Sequence, residues 1–299
     1  MRNIMKLPEL LIPASSLEVL RTAVIYGADA VYIGGEAFGL RAKAKNFTID
    51  EMAEGVSFAH EHGVKVYVTA NIIAHNRDLE GAREYFKELG EKVHPDALII
   101  SDPAIFTIAQ EVLPEMELHV STQANNINYR SAIKWYKMGA TRVVLAREMS
   151  FKEIAEFQKK IPEDLELEAF IHGAMCISYS GRCLLSNYMT GRDSNMGACA
   201  HPCRWNYKLV EETRPGEYMD VFENERGTFI FNSKDLCTIR HIPELVQSGI
   251  ASLKIEGRVK TSYYVATVVG AYRREIDRYC ADPENYVFNE AEYEELCKV

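Results

Sequence analysis

Helical and strand periodicities alternate along the chain, and the same junction recurs between them. An amphipathic stretch ends at a glycine, and within two to four residues an apolar, β-branched or aromatic run begins. The junction is read in YGADAVYIGG (26–35), HGVKVYVTAN (62–71), MGATRVVLAR (138–147) and SGIASLKIEG (248–257). Glycine suits the left-handed position that ends a helix, and so short a link is usual between a helix and the next strand of a β/α unit. Further strands are predicted at Glu9–Ala14, Ala97–Ser101, Glu117–Gln123 and Leu165–His172. Helices are predicted over 16–26, 50–62, 78–90, 103–112, 128–138, 150–160, 240–248 and 261–279. This alternation predicts a parallel sheet. Eight units favour an α/β fold of the closed kind, an eight-stranded TIM-type β/α barrel, over an open doubly wound sheet. No G-x-G-x-x-G follows the first strand to point to dinucleotide binding.

One connection breaks the rhythm. About 78 residues separate His172, at the end of strand seven, from Ala251, at the start of strand eight. A loop and one helix would need roughly 20, and long insertions in compact domains are usually functional. Alternating stretches around Tyr207–Glu211, Tyr218–Phe222 and Thr228–Phe231 predict a small β-hairpin element inside this insertion. The expected organisation is a barrel over 1–280 that includes a cysteine-rich insertion at 173–239. An acidic segment follows at 281–299, with six acids and one Lys298, which reads as a solvated helix face. Active sites of β/α barrels lie at the C-terminal ends of the strands, and the loops after strands seven and eight often hold an anionic group. The insertion is therefore expected at the catalytic face.

Composition narrows the setting. An apolar fraction of 47% allows a large core. No apolar run approaches the ~18–20 residues that span a bilayer. Pro8 and Glu9 stand where a secretory signal would be uninterrupted, so a cytoplasmic protein with no membrane partner is expected. Disulfides are rare in that compartment, and clustered thiols there more often bind metal or do chemistry. The net charge of −9 argues against broad, nonspecific nucleic-acid binding. From Phe170 to Lys208, however, Arg182, Arg192, Arg204 and Lys208 face one acid, Asp193.

Four of the seven cysteines fall between 176 and 203. Six residues lie between Cys176 and Cys183, fifteen between Cys183 and Cys199, and three between Cys199 and Cys203; Cys237 follows in SKDLC. Thiolates select zinc or iron–sulfur clusters. Only Cys199-x3-Cys203 has the close spacing of a structural zinc site. Cys176-x6-Cys183 is too open for that, but wraps a larger cube of iron and sulfide. An iron–sulfur centre is the expected reading, with zinc as the alternative and unliganded thiols as a third. Five candidates for four positions leave the fourth ligand open. Cys280 and Cys297 read as small buried apolar groups. His60-Glu61-His62 reads as a solvated helix end, because adjacent helical residues point in different directions.

Polar groups at barrel strand ends are candidates for substrate binding: Gln123, Asn125 and Asn126, then Arg147 and Glu148, then Lys254, Glu256 and Arg258. Rim solvation and salt bridges are the plain alternative. His172 is placed equally for a site or for a satisfied core histidine. No G-x-S-x-G elbow and no protease-type Cys/His signature is present.

The run EAFIHGAMCISYSGRCLLS (168–186), with GRDSNMGACAHPCRW (191–205), NSKDLC (232–237) and SLKIEGR (252–258), resembles the collagenase-like peptidase family U32. The resemblance extends from PELLIPA to the final helix, and the nearest branch hydroxylates tRNA. It implies oxygen-independent hydroxylation of the wobble uridine at carbon 5, with prephenate as co-substrate and a 4Fe–4S cluster. By motif, Cys176, Cys183, Cys199 and Cys237 match the cluster ligands of a sister protein of ubiquinone synthesis, with Cys203 fifth. Arg147, Lys254 and Arg258 are the expected carboxylate binders, since guanidinium forks match carboxylates; Glu256, His172 and Gln123 complete the candidate substrate site. Two alternatives stay open: a collagenase-like peptidase, and a cluster-binding subunit serving ribosomal RNA or a quinone precursor beside a longer paralogous subunit. Longer members of the family continue into a further C-terminal domain, to which 281–299 would lead.

Overall fold

A computed structural model describes residues 7–39, 46–205, 207, 209–210, 212–219, 223–224, 227–228 and 235–299. Seven strands follow the predicted order: β1 (Glu9–Pro13), β2 (Ala30–Gly34), β3 (Lys65–Ala70), β4 (Ala97–Ile100), β5 (Glu117–Val120), β6 (Arg142–Val144) and β7 (Glu166–Gly173). Four two-residue pieces form two antiparallel pairs, β8 (Leu209–Val210) with β9 (Tyr218–Met219) and β10 (Glu223–Asn224) with β11 (Gly227–Thr228). The other parts of the expected hairpins, among them Glu211, Phe222 and Phe231, lie outside the described residues. β12 (Leu236–Cys237) pairs antiparallel with the end of β7. β13 (Ser252–Ile255) is the eighth barrel strand and pairs in parallel with both β1 and β7. Parallel pairing of β6 with β7 completes the ring. The closed eight-stranded β/α barrel read from the periodicity is the fold.

Helices α1 (Leu17–Ile25), α2 (Ile49–Glu61), α3 (Asn76–Glu88), α4 (Pro103–Val112), α5 (Tyr129–Lys137) and α6 (Phe151–Gln158) link successive strands. Their starts are written locally. Ser16 caps α1, and Thr48 with Glu51 and Ser150 with Glu153 form capping boxes that satisfy orphan amides. The helix expected at 78–90 begins earlier, and a π turn (Leu89–Val93) extends it to left-handed His94. After α7 (Leu185–Thr190), which lies between Cys183 and Cys199, α8 (Ile242–Gln247) precedes β13. α9 (Ser262–Ala281) then packs across the outside, and Glu292 of α10 (Glu290–Leu296) is bound by Arg274 at 2.6 and 2.8 Å. Among the described residues no helix is long and apolar enough to cross a membrane.

Alternation divides the barrel residues between two environments. Leu10, Ile12, Val31 and Ile33 face the helices in the main core, whereas Leu11, Ala30, Tyr32, Tyr67, Ala97 and Ile99 form a smaller cluster inside the ring. The interior also holds charge. Arg142 reaches Glu9 at 2.7 Å, Glu166 at 2.7 Å and Glu168 at 3.4 Å, and Lys254 Nζ lies 2.6 Å from the other oxygen of Glu168. Glu9 also accepts from the Tyr67 hydroxyl at 2.6 Å and the Ser252 hydroxyl at 2.9 Å. Burying charge is costly, and it persists only where each lone pair finds a donor, as here.

Burial pushes the Glu168 carboxyl up, but Lys254 and Arg142 outweigh it and hold the group below its ordinary value of 4.5. A carboxyl depressed in the folded state contributes stability that is complete above the unfolded value and is lost as pH falls through the folded one. Glu168→Gln strips counter-charge from both cations and is expected to cost about 3–5 kcal/mol. Urea unfolding at neutral pH would show a lower midpoint, and the variant's acid-side loss of stability would be shallower than that of the parent.

Candidate functional site

The C-terminal ends of the strands open into a cavity of about 460 Å3. The barrel supplies Tyr32, Thr69, Asn71, Ser121, Phe170 and Lys254, and the loop after β13 supplies Glu256, Arg258 and Lys260. The segment after β7 forms the opposite wall, with Cys176, Cys183, Cys199 and Cys203 all facing the same space. Of the other candidates, Gln123 and Arg147 also line it, whereas His172 and Cys237 do not.

A slip in register accounts for His172. Alternation along β7 puts Glu168 and Phe170 inside the ring and would carry His172 there too. The β7–β13 register shifts, so that Lys254 pairs with Phe170 but Ile255 with His172. Such a bulge re-aims the residues beyond it. The imidazole instead meets Tyr272 of α9, whose hydroxyl is 3.3 Å from Nδ1, and the Tyr264 ring. Burial pushes its pKa down to about 4. Cys237 stands opposite His172 on β12 and adds its charge to the burial that raises the Tyr272 hydroxyl.

The cysteine segment buries few apolar side chains and is held to the barrel by hydrogen bonds. Ser180 Oγ donates to Gln123 Oε1 at 2.8 Å, Gln123 Nε2 donates to Asn195 Oδ1 at 3.4 Å, and Asn125 Nδ2 donates to the Ser180 carbonyl at 3.2 Å. Gly181, at φ 70°, presses against Gln123 so closely that a Cβ would overlap its amide. Gln123 thus carries the segment as well as facing the cavity. Within the segment, Ser194 Oγ donates to the Cys183 carbonyl at 3.0 Å, and buried Ser186 accepts from the Ala200 amide at 2.9 Å. The His201 amide donates to Cys199 Sγ at 3.3 Å.

Four cations line the barrel side, Lys260 among them with its Nζ 4.8 Å over the Tyr264 ring. Lys254 Nζ lies 4.4 Å above the Tyr32 ring while bound to Glu168. Arg147 stacks 3.9 Å over Phe170 and bonds Glu256 at 3.1 Å, so its plane is fixed from two directions. Arg258 donates to Thr69 Oγ1 at 3.0 Å and Asn46 Oδ1 at 3.1 Å, and its guanidinium occupies the space a side chain at Gly34 would need. Tyr32, Asn71 and Phe170 are site residues the sequence reading did not select. Their signal was position alone, at inward-facing places near strand ends.

The thiols share one electrostatic neighbourhood. Burial raises the Cys203 thiol first, and Cys176, Cys199 and Cys183 raise it further, against a lowering by Arg204. A metal binding to such crowded thiols would take them as thiolates and release their protons. Soft donors on one wall fit either an iron–sulfur centre or zinc. Among the described residues, no three His, Cys, Asp or Glu side chains converge closely enough to define a metal site in this conformation.

A model of peptidase family U32 matches residues 15–299. The tRNA hydroxylation protein P1 of Bacillus subtilis (strain 168) is 51% identical over 297 residues, which cover 99% of this chain and 69% of that protein. The 23S rRNA 5-hydroxycytidine C2501 synthase of Escherichia coli (strain K12) is 37% identical over 269 residues, covering 90% of this chain and 39% of that protein. The solved structure of a U32 peptidase matches at a TM-score of 0.55 with 14% identity, over 84% of this chain and 94% of that one, a likeness of fold alone.

Gly181→Ala places a Cβ both in a left-handed conformation and against Gln123. The backbone cost is about 1–2 kcal/mol. Hydrogen exchange is expected to quicken across 174–205 while the barrel strands keep their protection; unchanged exchange in that segment would show that the Gln123 tie does not hold it.

Proposed function

The chain belongs to peptidase family U32, and on that premise we propose that it serves RNA modification by hydroxylating carbon 5 of a pyrimidine, the wobble uridine of tRNA. One observation carries the reading. In a chain 51% identical to a tRNA hydroxylation protein, four thiols face Lys254, Arg147 and Arg258 across a single barrel-mouth cavity. The proposed cofactor is a 4Fe–4S cluster on Cys176, Cys183 and Cys199, with Cys237 or Cys203 as the fourth ligand. When bound, such a centre supplies one-electron transfer.

The remaining roles fall to the chain's own side chains. Prephenate, the proposed co-substrate, carries two carboxylates that would lie against Lys254, Arg258 and Arg147. Arg147 is held flat by Phe170 and Glu256, which orients it before any ligand arrives. Lys254 is paired with Glu168 at 2.6 Å and has ammonium donors to spare for a second acceptor. The cysteine wall stands over the mouth of the barrel, across the cavity from these cations. An unstacked uridine would enter beside the carboxylates, since enzymes acting on a base take it out of its stack. The setting is the cytoplasm, the partner is tRNA, and a longer paralogue is a candidate second subunit.

Protein purified without oxygen is expected to hold about four irons and four sulfides per chain. Cys176→Ala and Cys183→Ala should each lose the iron and, in cells lacking the native protein, the 5-hydroxyuridine of tRNA; modified nucleoside made by iron-free protein would refute the cluster's role. Of Cys203→Ala and Cys237→Ala, the variant that loses iron identifies the fourth ligand. Zinc in place of iron, together with gelatin cleavage by pure protein, would return the peptidase reading that the family description carries.

A further inference from the structure

The cysteine segment presents apolar surface to solvent as well as thiols to the cavity. Tyr188 is 88% exposed on α7 and Leu184 is 71% exposed just before it, with Met189, Trp205 and Tyr179 exposed nearby. Met189 and Trp205 are linked through Tyr207. The Tyr207 hydroxyl donates to Met189 Sδ at 3.4 Å, and the Tyr207 ring stacks on Trp205 with 6.3 Å between centroids and 23° between planes. Arg182, His201 and Arg204 are exposed among them. Residues 170–208 carry four basic residues and one acid in a chain of net charge −9. The patch runs into the cavity, because Tyr179, His201 and Arg204 also line it.

Aromatic faces interleaved with cations are the surface that unpaired nucleotides bind. Every base offers a π face, so stacking needs no particular sequence, and arginine adds cation–π and phosphate contacts. A base drawn into the cavity leaves its neighbours without one stacking partner, and a platform at the rim replaces it. Resting on the RNA-modification reading, we propose that Tyr188, Trp205 and Tyr207, with Arg182 and Arg204, form a stacking platform for the unpaired nucleotides that flank the target base. Arg182 and Arg204 would meet the phosphate backbone, Arg204 by exchanging its ion pair with Asp235, at 3.1 Å, for a phosphate. The underside of α7 is anchored separately through Ser186 and the Ala200 amide, so truncating Tyr188 leaves the support intact.

Fluorescence anisotropy of the full chain with two labelled RNAs tests this: a hairpin with an unpaired, uridine-containing loop, and a fully paired duplex of equal length. The hairpin is expected to bind more tightly. Tyr188→Ala and Trp205→Ala should each weaken it about tenfold, within the range of one stacked base, whereas Tyr188→Phe should bind as the parent does. Arg182→Ala should reduce the salt dependence by about 0.7 in log–log slope, as for one phosphate contact on a single strand. Matched thermal midpoints establish that the variants are folded. If the parent binds the hairpin and both alanine variants bind equally well, the platform is refuted while the RNA reading stands. If the parent binds neither probe, the platform falls together with that reading. Variants that alter the oligomeric state at constant RNA affinity would assign the face to contacts between copies of the chain instead.

Discussion

Glu168 is fully buried between two cations, with Lys254 Nζ at 2.6 Å and Arg142 Nη1 at 3.4 Å. The three residues come from β7, β13 and β6, and the contact therefore ties together the part of the ring where strands distant in sequence meet. An apolar trio of similar volume would serve stability as well or better. What the charges add is directional. A one-residue slip of either neighbouring strand would send a cation to the helix side of the sheet and leave Glu168 with an uncompensated charge. The same contact keeps an ammonium group at the floor of the cavity, where an apolar core would give nothing to bind an anion.

Above that floor the two walls of the site are made by different physics. The cationic wall stands on strand ends and is braced by ring stacking and ion pairs, as with Arg147 between Phe170 and Glu256. The thiol wall has little apolar burial of its own and hangs from the barrel by Gln123 and Asn125. The side braced by strands is pre-set for a ligand. The side held by hydrogen bonds adjusts more readily, which suits thiols whose final arrangement would follow the centre proposed for them. In the proposed reaction the rigid side would define where the co-substrate lies.

Much of this was legible in the chain. Glycine-ended helices followed by β-branched runs placed four of the eight barrel strands, because that junction is a local event with local chemistry, and apolar runs placed the other four. The cysteines stood out by residue type, and Arg147, Lys254, Glu256, Arg258 and Gln123 by their position after strands. What escaped depended on contacts between distant segments. The bulge that turns His172 toward Tyr272 exists only in the pairing of β7 with β13. β12 is two residues long and carries no periodicity to read. The interior charges Glu9, Arg142 and Glu168 look like ordinary exposed polar residues until the ring closes around them. The second part Gln123 plays, holding the cysteine segment, was hidden because nothing in its neighbourhood in the chain announces Ser180 or Asn195.

Closure has a further consequence, in the order of synthesis. β1 is the first barrel strand made and β13 the last, and they are neighbours in the sheet. The Tyr32 hydroxyl, which donates to the Ile255 carbonyl at 2.9 Å, waits for a partner 223 residues downstream. The thiols leave the ribosome while the ring still has an open seam, and the cations at 254 and 258 that face them arrive afterwards. Sealing that seam turns two separately made half-sites into one chamber, so the final strand acts as a keystone for the chemistry as much as for the fold.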